Sequence, residues 1–286
     1  YALGIIFAEN PDVIYAVRKD SPLIVGRGEG ENLIASDVPA ILKYTRDVYF
    51  IENEEIACLS EEKIEFFNVD GESIEKECKH IEWDIHAAEK GGYEHFMLKE
   101  MNEQPKTIRD TISPRIKDGR IVIDELGMSD EEIRNISRIH IVACGSAYHT
   151  GFTSKYIFEG MARIPVEVDV ASEFRYRNPI LEDGALVIII SQSGETADSL
   201  AALRMAKERG VKTLGIVNVV GSSIAREADK VMYTWAGPEI AVATTKAYSA
   251  QLVAQYLLAI KFAQVRGKVS EAEVGEMLRD LKKLPD

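Results

Sequence analysis

The chain has 286 residues, enough for two domains and at least one full hydrophobic core. Hydrophobic residues make up 46% and charged residues 28%, ordinary globular usage that excludes a disordered chain. The net charge of −13 argues against general nucleic-acid binding, because phosphates would be repelled, but allows one anion held locally by backbone N–H groups.

Residues 1 to about 70 read as all-β. The segments "YALGIIFAE", "VIYAVRKD", "PLIVGRG", "VYFIENEEIACLS" and "IEFFNVDG" are short apolar runs separated by Pro, Gly, Asn and Asp. The opening stretch has no basic start and soon reaches Glu9 and Asp12, unlike a secretory signal. "GRGEGENL" could suggest a dinucleotide loop. It lacks the later glycine, no long amphipathic helix follows, and Glu29 and Glu31 would repel phosphate, so a turn between strands is expected. "ENEE" (Glu52–Glu55) reads as a solvated turn.

A charged, mixed stretch runs from Trp83 to Ile136. Its segment "YEHFMLKEMNEQP" has helical spacing at Phe96, Met97, Lys99 and Met101, and the helix is expected to end at Pro105. Cys78, His80 and His86 contain no paired C-x-x-C, so chance spacing is the reading rather than zinc. Cys58, Cys78 and Cys144 are odd in number and widely spaced, which speaks against a disulfide scaffold. No metal or organic cofactor is expected, and a cytoplasmic protein fits best.

From Ile139 strands and helices alternate. "IHIVA" leads into a helix over Tyr148–Ala162, followed by "PVEVDV", a short "EFRYR" segment, "ALVIII" and a helix from about Glu195 to Arg209, stopped at Gly210. Then come "KTLGIVN", a short helix near Ser223–Glu227, and "KVMYTW". The last helix, Thr244 to about Val265, is apolar almost all round. One face should pack on the sheet, and the opposite face then needs a cover, expected from a second subunit or a second domain. No apolar run approaches the roughly 18 residues of a membrane span, so no membrane association is expected. Apolar strands alternating with helices imply an α/β fold with a doubly wound parallel sheet, whose ligands bind beyond the carboxyl ends of the strands.

"SQSGET" (Ser191–Thr196) lies at that edge, after a buried strand and before a helix. The first N–H groups of a helix have no internal partner and the helix dipole is positive there, so a phosphate fits. Gly194 allows close backbone approach, and Ser191, Ser193 and Thr196 add hydroxyls. The simpler reading is that Ser193 caps the helix. A cap needs a single hydroxyl, however, and several crowd this turn. Glu195 would have to point away from the anion. "ACGSAYHTG" (Ala143–Gly151) repeats the design, with Gly145 and Ser146 at the turn. Cys144 reads as a small residue packed under the turn, and His149 as a surface or packing residue.

"SQSGETADSLAALR", "CGSAYHTG", "ASEFRYR" and "AGPEIAVATTKAY" resemble the sugar isomerase (SIS) domain of the glutamine–fructose-6-phosphate aminotransferase family. "SPLIVGRGEGENLIASDVPAIL" (Ser21–Leu42) resembles the later half of that family's glutaminase domain, and "HFMLKEMNEQP" its inter-domain segment. The resemblance implies a glutaminase-like, β-rich part over 1–75, a linker with leading helices over 76–138, and a first SIS domain over 139–286. It implies a sugar-phosphate partner, fructose 6-phosphate or glucosamine 6-phosphate, and a homodimer. The implied substrate-binding residues are Cys144, Gly145, Ser146, Ala147, Ser191, Gln192, Ser193, Thr196 and the backbone of Val242. Ser146 stands where Thr is common. Ala147 stands where a hydroxyl residue is usual, so any contact there must come from its backbone. Ala241 and Thr244 replace the more usual Gly and Ser.

The family's glutaminase nucleophile is an N-terminal cysteine, and this chain starts at Tyr1. The Ser-x-Ser-Gly-x-Thr pattern occurs once where the family carries two SIS domains, and the family's catalytic glutamate, histidine and lysine have no counterpart. The expectation is therefore a sugar-phosphate grip with little proton-transfer machinery and no catalytic residue of its own. Lys246 is left unassigned between an imine-forming or phosphate-contacting residue and a solvated or dimer-facing one. The alternative function is a single-SIS module that senses a phosphosugar and regulates a partner. A regulator would carry an output domain such as a basic helix-turn-helix, whereas residues 1–70 read as β-rich.

Overall fold

A computed structural model describes residues 1–19, 21–38, 40–81 and 90–286. Trp83 and His86, named above, lie outside these residues. The chain divides into two units, Tyr1–Gly91 and Gly92–Asp286.

Among the described residues the first unit holds nine strands: β1 (Ala2–Phe7), β2 (Asn10–Arg18), β3 (Ile24–Arg27), β4 (Asn32–Ala35), β5 (Asp47–Phe50), β6 (Glu55–Leu59), β7 (Ile64–Asn68), β8 (Ser73–Ile74) and β9 (Lys79–His80). They form two antiparallel sheets, β1-β2-β6-β7-β8 and β4-β3-β5-β9. Val25 of the second sheet packs with Ala16, Ala57, Leu59 and Phe66 of the first. The glycine-rich stretch after Ile24 is the hairpin turn between β3 and β4, closed by Gly28 N–H donating to the Glu31 carbonyl at 3.0 Å.

The second unit opens with α1 (Phe96–Ile112), which continues through Pro105 instead of ending there. Proline cannot donate to the carbonyl of Met101 four residues back. The side-chain amide of Gln104 donates to that carbonyl instead, at 3.1 Å, and buried Thr107, Thr111 and Ile112 anchor the remaining turns. A small hairpin, β10 (Ile116–Lys117) and β11 (Arg120–Ile121), and a short α2 (Asp130–Arg134) with a capping box at Ser129 lead into the sheet.

The core elements are β12 (Arg138–Ala143), α3 (Gly145–Ile157), β13 (Val166–Val170), α4 (Ala171–Tyr176), β14 (Ala185–Ser191), α5 (Ala197–Glu208), β15 (Lys212–Val217), α6 (Ser223–Glu227), β16 (Lys230–Tyr233), α7 (Lys246–Val265) and α8 (Glu271–Leu281). The five strands are all parallel, in the order β13-β12-β14-β15-β16. Every residue of β14 is buried, as a strand covered on both faces requires. Alternation along the strands sorts the core into two layers. Leu186, Ile188 and Ile190 pack with α7 and α8 residues such as Leu257 and Leu278, while Val187 and Ile189 pack with Phe174 of α4, Leu203 of α5 and Ile224 of α6.

The expectation that α7 needs a cover from outside is corrected. The helix packs against α1, α3 and α8 of its own unit, and none of its residues is exposed. Its all-round apolar surface is thus used within the chain. Lys246 is not solvated either: it is 2% exposed, and its Nζ lies 2.6 Å from Glu103 Oε2 on α1.

Candidate functional site

In a parallel sheet ordered β13-β12-β14-β15-β16, the chain moves one way from β12 to β13 and the other way from β14 onward. The switch lies between β12 and β14, and open α/β sheets bind ligands outside the carboxyl ends of the strands at such a point. The two glycine- and serine-containing turns sit there side by side: β12 ends into α3 through Cys144, and β14 ends into α5 through Gln192–Thr196. Their proximity is direct, since the Ser199 hydroxyl in the first turn of α5 lies 3.7 Å from Cys144 Sγ.

The turn after β14 is held from inside. Ser191 is 4% exposed, and its Oγ accepts the Gly194 N–H at 3.0 Å and lies 3.0 Å from Thr196 Oγ1. Ser193 Oγ accepts the Glu195 N–H at 3.2 Å. Gly194 has φ +67, and a Cβ there would lie 2.0 Å from Ser222 Oγ, so the position requires glycine. Ser193 is not the helix cap. The N-cap position is Thr196, whose side chain makes no capping bond, because the bonds from Ser191 hold the turn open until that point.

The two acidic side chains near this turn are directed away from it or neutralised. The Glu195 carboxyl accepts the Ser223 N–H at 2.7 Å and its hydroxyl at 2.8 Å, which fastens it to the start of α6. Asp198 pairs with Arg175 Nη1 at 3.0 Å. The positive end of α5 is therefore not cancelled by a free carboxylate, and its first N–H groups remain suited to an anion.

On the β12 side, Gly145 has φ +56 and opens α3, with Ser146 exposed in the first turn. Ala147 is 8% exposed and belongs to the apolar core, so only its backbone is available to a ligand. Cys144 is half-buried against the Val142–Leu203 layer, in keeping with the packing reading. His149 is exposed on α3, edge-on to Tyr148.

A third segment, running from the end of β16 to α7, reaches the same edge. Asn218, just after β15, accepts the Ala236 N–H at 2.7 Å and donates to the Gly237 carbonyl at 2.7 Å, while its backbone N–H donates to the Gln192 carbonyl at 3.2 Å. Asn218 thus ties this segment, through its side chain, to the turn after β14, through its backbone. The Glu239 carboxyl accepts the N–H groups of Thr245 and Ala247 at 2.9 and 3.1 Å and the Thr244 hydroxyl at 2.7 Å, capping α7. Val242 stands fully exposed between these anchors. Reading residue types alone missed Asn218. Its signal was present: an amide residue ending "KTLGIVN" at the carboxyl end of a buried strand.

A cavity of about 280 Å³ lies at the other end of the sheet, lined in part by Glu132, Gly184, Arg209 and Lys212. It is not the candidate site. Lys212 pairs with Glu132, and Arg209 is bonded to Asn178 and the Pro179 carbonyl, so the cations there are already engaged. No group of three or more potential metal ligands occurs among the described residues, and no described helix is long and apolar enough to cross a membrane.

Residues 132–261 match the SIS domain family. The glutamine–fructose-6-phosphate aminotransferase (isomerizing) of Caldanaerobacter subterraneus subsp. tengcongensis is 58% identical over 100% of this chain and 47% of its own length. The protein of that name from Methanosarcina mazei is 50% identical over 100% of this chain and 46% of its own. Among solved structures, the C-terminal domain of glucosamine-fructose-6-phosphate aminotransferase from Francisella tularensis superposes with a TM-score of 0.67 at 41% identity, covering 69% of this chain and 56% of that one. The chain spans about half the length of the curated relatives it matches.

Proposed function

Because residues 132–261 belong to the SIS-domain family and the whole chain is related to glutamine–fructose-6-phosphate aminotransferases, we propose that it binds fructose 6-phosphate as the sugar-phosphate part of such an enzyme. The observation that carries the reading is the meeting of two helix starts, α3 and α5, at the switch point, with Glu195 turned toward α6. In this reading the phosphate sits at the start of α5 and accepts backbone N–H groups together with the hydroxyls of Ser193 and Thr196. Ser191 shapes the turn from beneath, and Gln192, Ser146 and the backbone of Cys144–Ala147 and Val242 meet the sugar. Residues 1–75 are the later part of a glutaminase-like domain, 76–138 join it to the sugar-phosphate part, and 139–286 are a first SIS domain.

The parent reaction would move ammonia from glutamine to the sugar and then isomerise the product to an aldose. That isomerisation needs a positioned general base, an effect typically worth about 10²–10⁴-fold in rate. The carboxyls of Glu195 and Glu239 are both committed to helix starts, which leaves neither placed for proton transfer. This chain alone therefore holds the sugar phosphate without turning it over. The homodimer and the cytoplasmic location belong to the same reading and rest on the family resemblance, since α7 offers no exposed face.

Calorimetric titration with fructose 6-phosphate tests the binding, and an amino-sugar assay with fructose 6-phosphate and glutamine or an ammonium salt tests the rest. Saturable binding without turnover supports the reading. Absence of binding removes it, and turnover at ordinary enzyme rates shows that a catalytic base has been overlooked.

A further inference from the structure

Helix α1 lies outside the parallel sheet, yet its polar side chains reach the segment that completes the site. Glu100 is 2% exposed. Its Oε1 accepts the N–H of Ile240 at 2.6 Å and of Ala241 at 3.1 Å, and its Oε2 is buried without a partner among the described residues. Near it, Glu103 holds Lys246 at 2.6 Å and Gln104 Oε1 accepts the Ser249 hydroxyl at 2.6 Å. These two contacts join α1 to α7. Glu100 does something else, because it grips backbone in the segment before α7. A glutamate is rarely fully buried, and burying its carboxyl costs free energy unless that group is hydrogen-bonded. Packing alone does not call for one here.

We propose that Glu100 is the positioning residue for the sugar end of the site, fixing the backbone path at Ile240 and Ala241 so that Val242 meets the ligand. The proposal rests on the sugar-phosphate reading above. The N–H groups of Ile240 and Ala241 are committed to Glu100, so ligand contacts from this segment fall to Val242 and the residues after it. The phosphate end is built separately, from Ser191, Ser193, Gly194 and Thr196 on another strand. Loss of Glu100 should therefore weaken the grip on the sugar and leave the grip on the phosphate intact.

The experiment compares the full chain with Glu100→Ala and Glu100→Gln, titrating fructose 6-phosphate by calorimetry and inorganic phosphate by phosphorus NMR. Glu100→Ala leaves two backbone donors without their acceptor, and affinity for fructose 6-phosphate should fall about ten- to a hundredfold. Inorganic phosphate should bind within about twofold of the parent. Glu100→Gln keeps an acceptor oxygen of the same reach, and should restore fructose 6-phosphate affinity to within about threefold. Hydrogen exchange should quicken at 238–245 in Glu100→Ala and stay unchanged in β14. Unchanged sugar-phosphate affinity in Glu100→Ala overturns the proposal. So does an equal loss for both ligands, which would mark a general structural role, and so does failure of Glu100→Gln to rescue. If the parent chain binds neither ligand, the sugar-phosphate reading itself fails and this proposal falls with it.

Discussion

Replacing Gly194 with alanine perturbs the proposed phosphate turn in two separable ways. The residue has φ +67, a conformation that costs a non-glycine residue about 1–2 kcal/mol. Its new Cβ would lie 2.0 Å from Ser222 Oγ and 2.6 Å from Ser222 Cβ, well inside van der Waals contact. Overpacking of this kind costs about 1–3 kcal/mol, for a combined loss of about 2–5 kcal/mol. Ser222 is itself fully buried, so it cannot relieve the overlap by swinging out into solvent. A Ser222→Gly partner removes the colliding atoms and leaves the backbone strain. The double variant should therefore recover the overlap portion, about 1–3 kcal/mol, and keep the rest. The chain has two tryptophans, so in a Trp83→Phe background Trp235 reports urea unfolding of the second unit alone. Fructose 6-phosphate affinity should fall at least about tenfold in Gly194→Ala, because the turn that presents Ser193 and Thr196 is displaced. A Gly194→Ala variant within about 0.5 kcal/mol of its parent, with unchanged affinity, would refute both the steric and the positional argument.

Ser193→Ala and Thr196→Val should each weaken fructose 6-phosphate binding by roughly ten- to a hundredfold, the range for losing a hydrogen bond to a charged group, and calorimetry with unchanged affinity in both would remove them from the site. His140 is buried in β12, and that burial lowers its pKa below 6.5 despite the opposing pull of Glu167 and Glu182 at 3.5 and 3.7 Å. Unfolding lets the ring take up its proton more readily, so the stability linked to its neutral form is present above about 6.5 and lost as pH falls below it. The urea midpoint of the second unit should accordingly drop between pH 7 and 5, and His140→Gln should flatten that slope; an equal slope in the variant assigns the dependence to other groups. Incubation of this chain with fructose 6-phosphate and an ammonium salt should give no amino sugar above background, as a direct colorimetric assay would show.

The parts of the fold that depend on local pattern were readable from sequence. "ALVIII" is buried on both faces and forms β14, and the crowded hydroxyls of Ser191–Thr196 fall at the carboxyl end of that strand, as expected. The glycine-rich stretch near Gly28 is a hairpin turn, for the charge and spacing reasons given. Features decided by particular side-chain hydrogen bonds and by distant packing partners were not readable. A proline normally ends a helix, and only the side chain of Gln104 explains how α1 passes Pro105. A Ser193 cap was the simpler alternative at this turn, and sequence does not show how Ser191 reaches forward to Gly194 and Thr196 so that the helix starts only after Thr196. The surface of α7 looked unpartnered because its main cover, α1, lies more than a hundred residues earlier in the chain. Glu100 and Asn218 act on backbone groups far from them in sequence, and no spacing rule marks such bonds.

In the proposed function a sugar phosphate binds where β12 and β14 end. Amide NMR of the chain titrated with fructose 6-phosphate tests it directly. Saturable shifts should concentrate at Gly145–Ala147 and Ser193–Ser199, with a second group near Val242, and none should appear at Gly184, Arg209 or Lys212 around the opposite cavity. Shifts confined to that opposite end, or none at all at millimolar ligand, would contradict it.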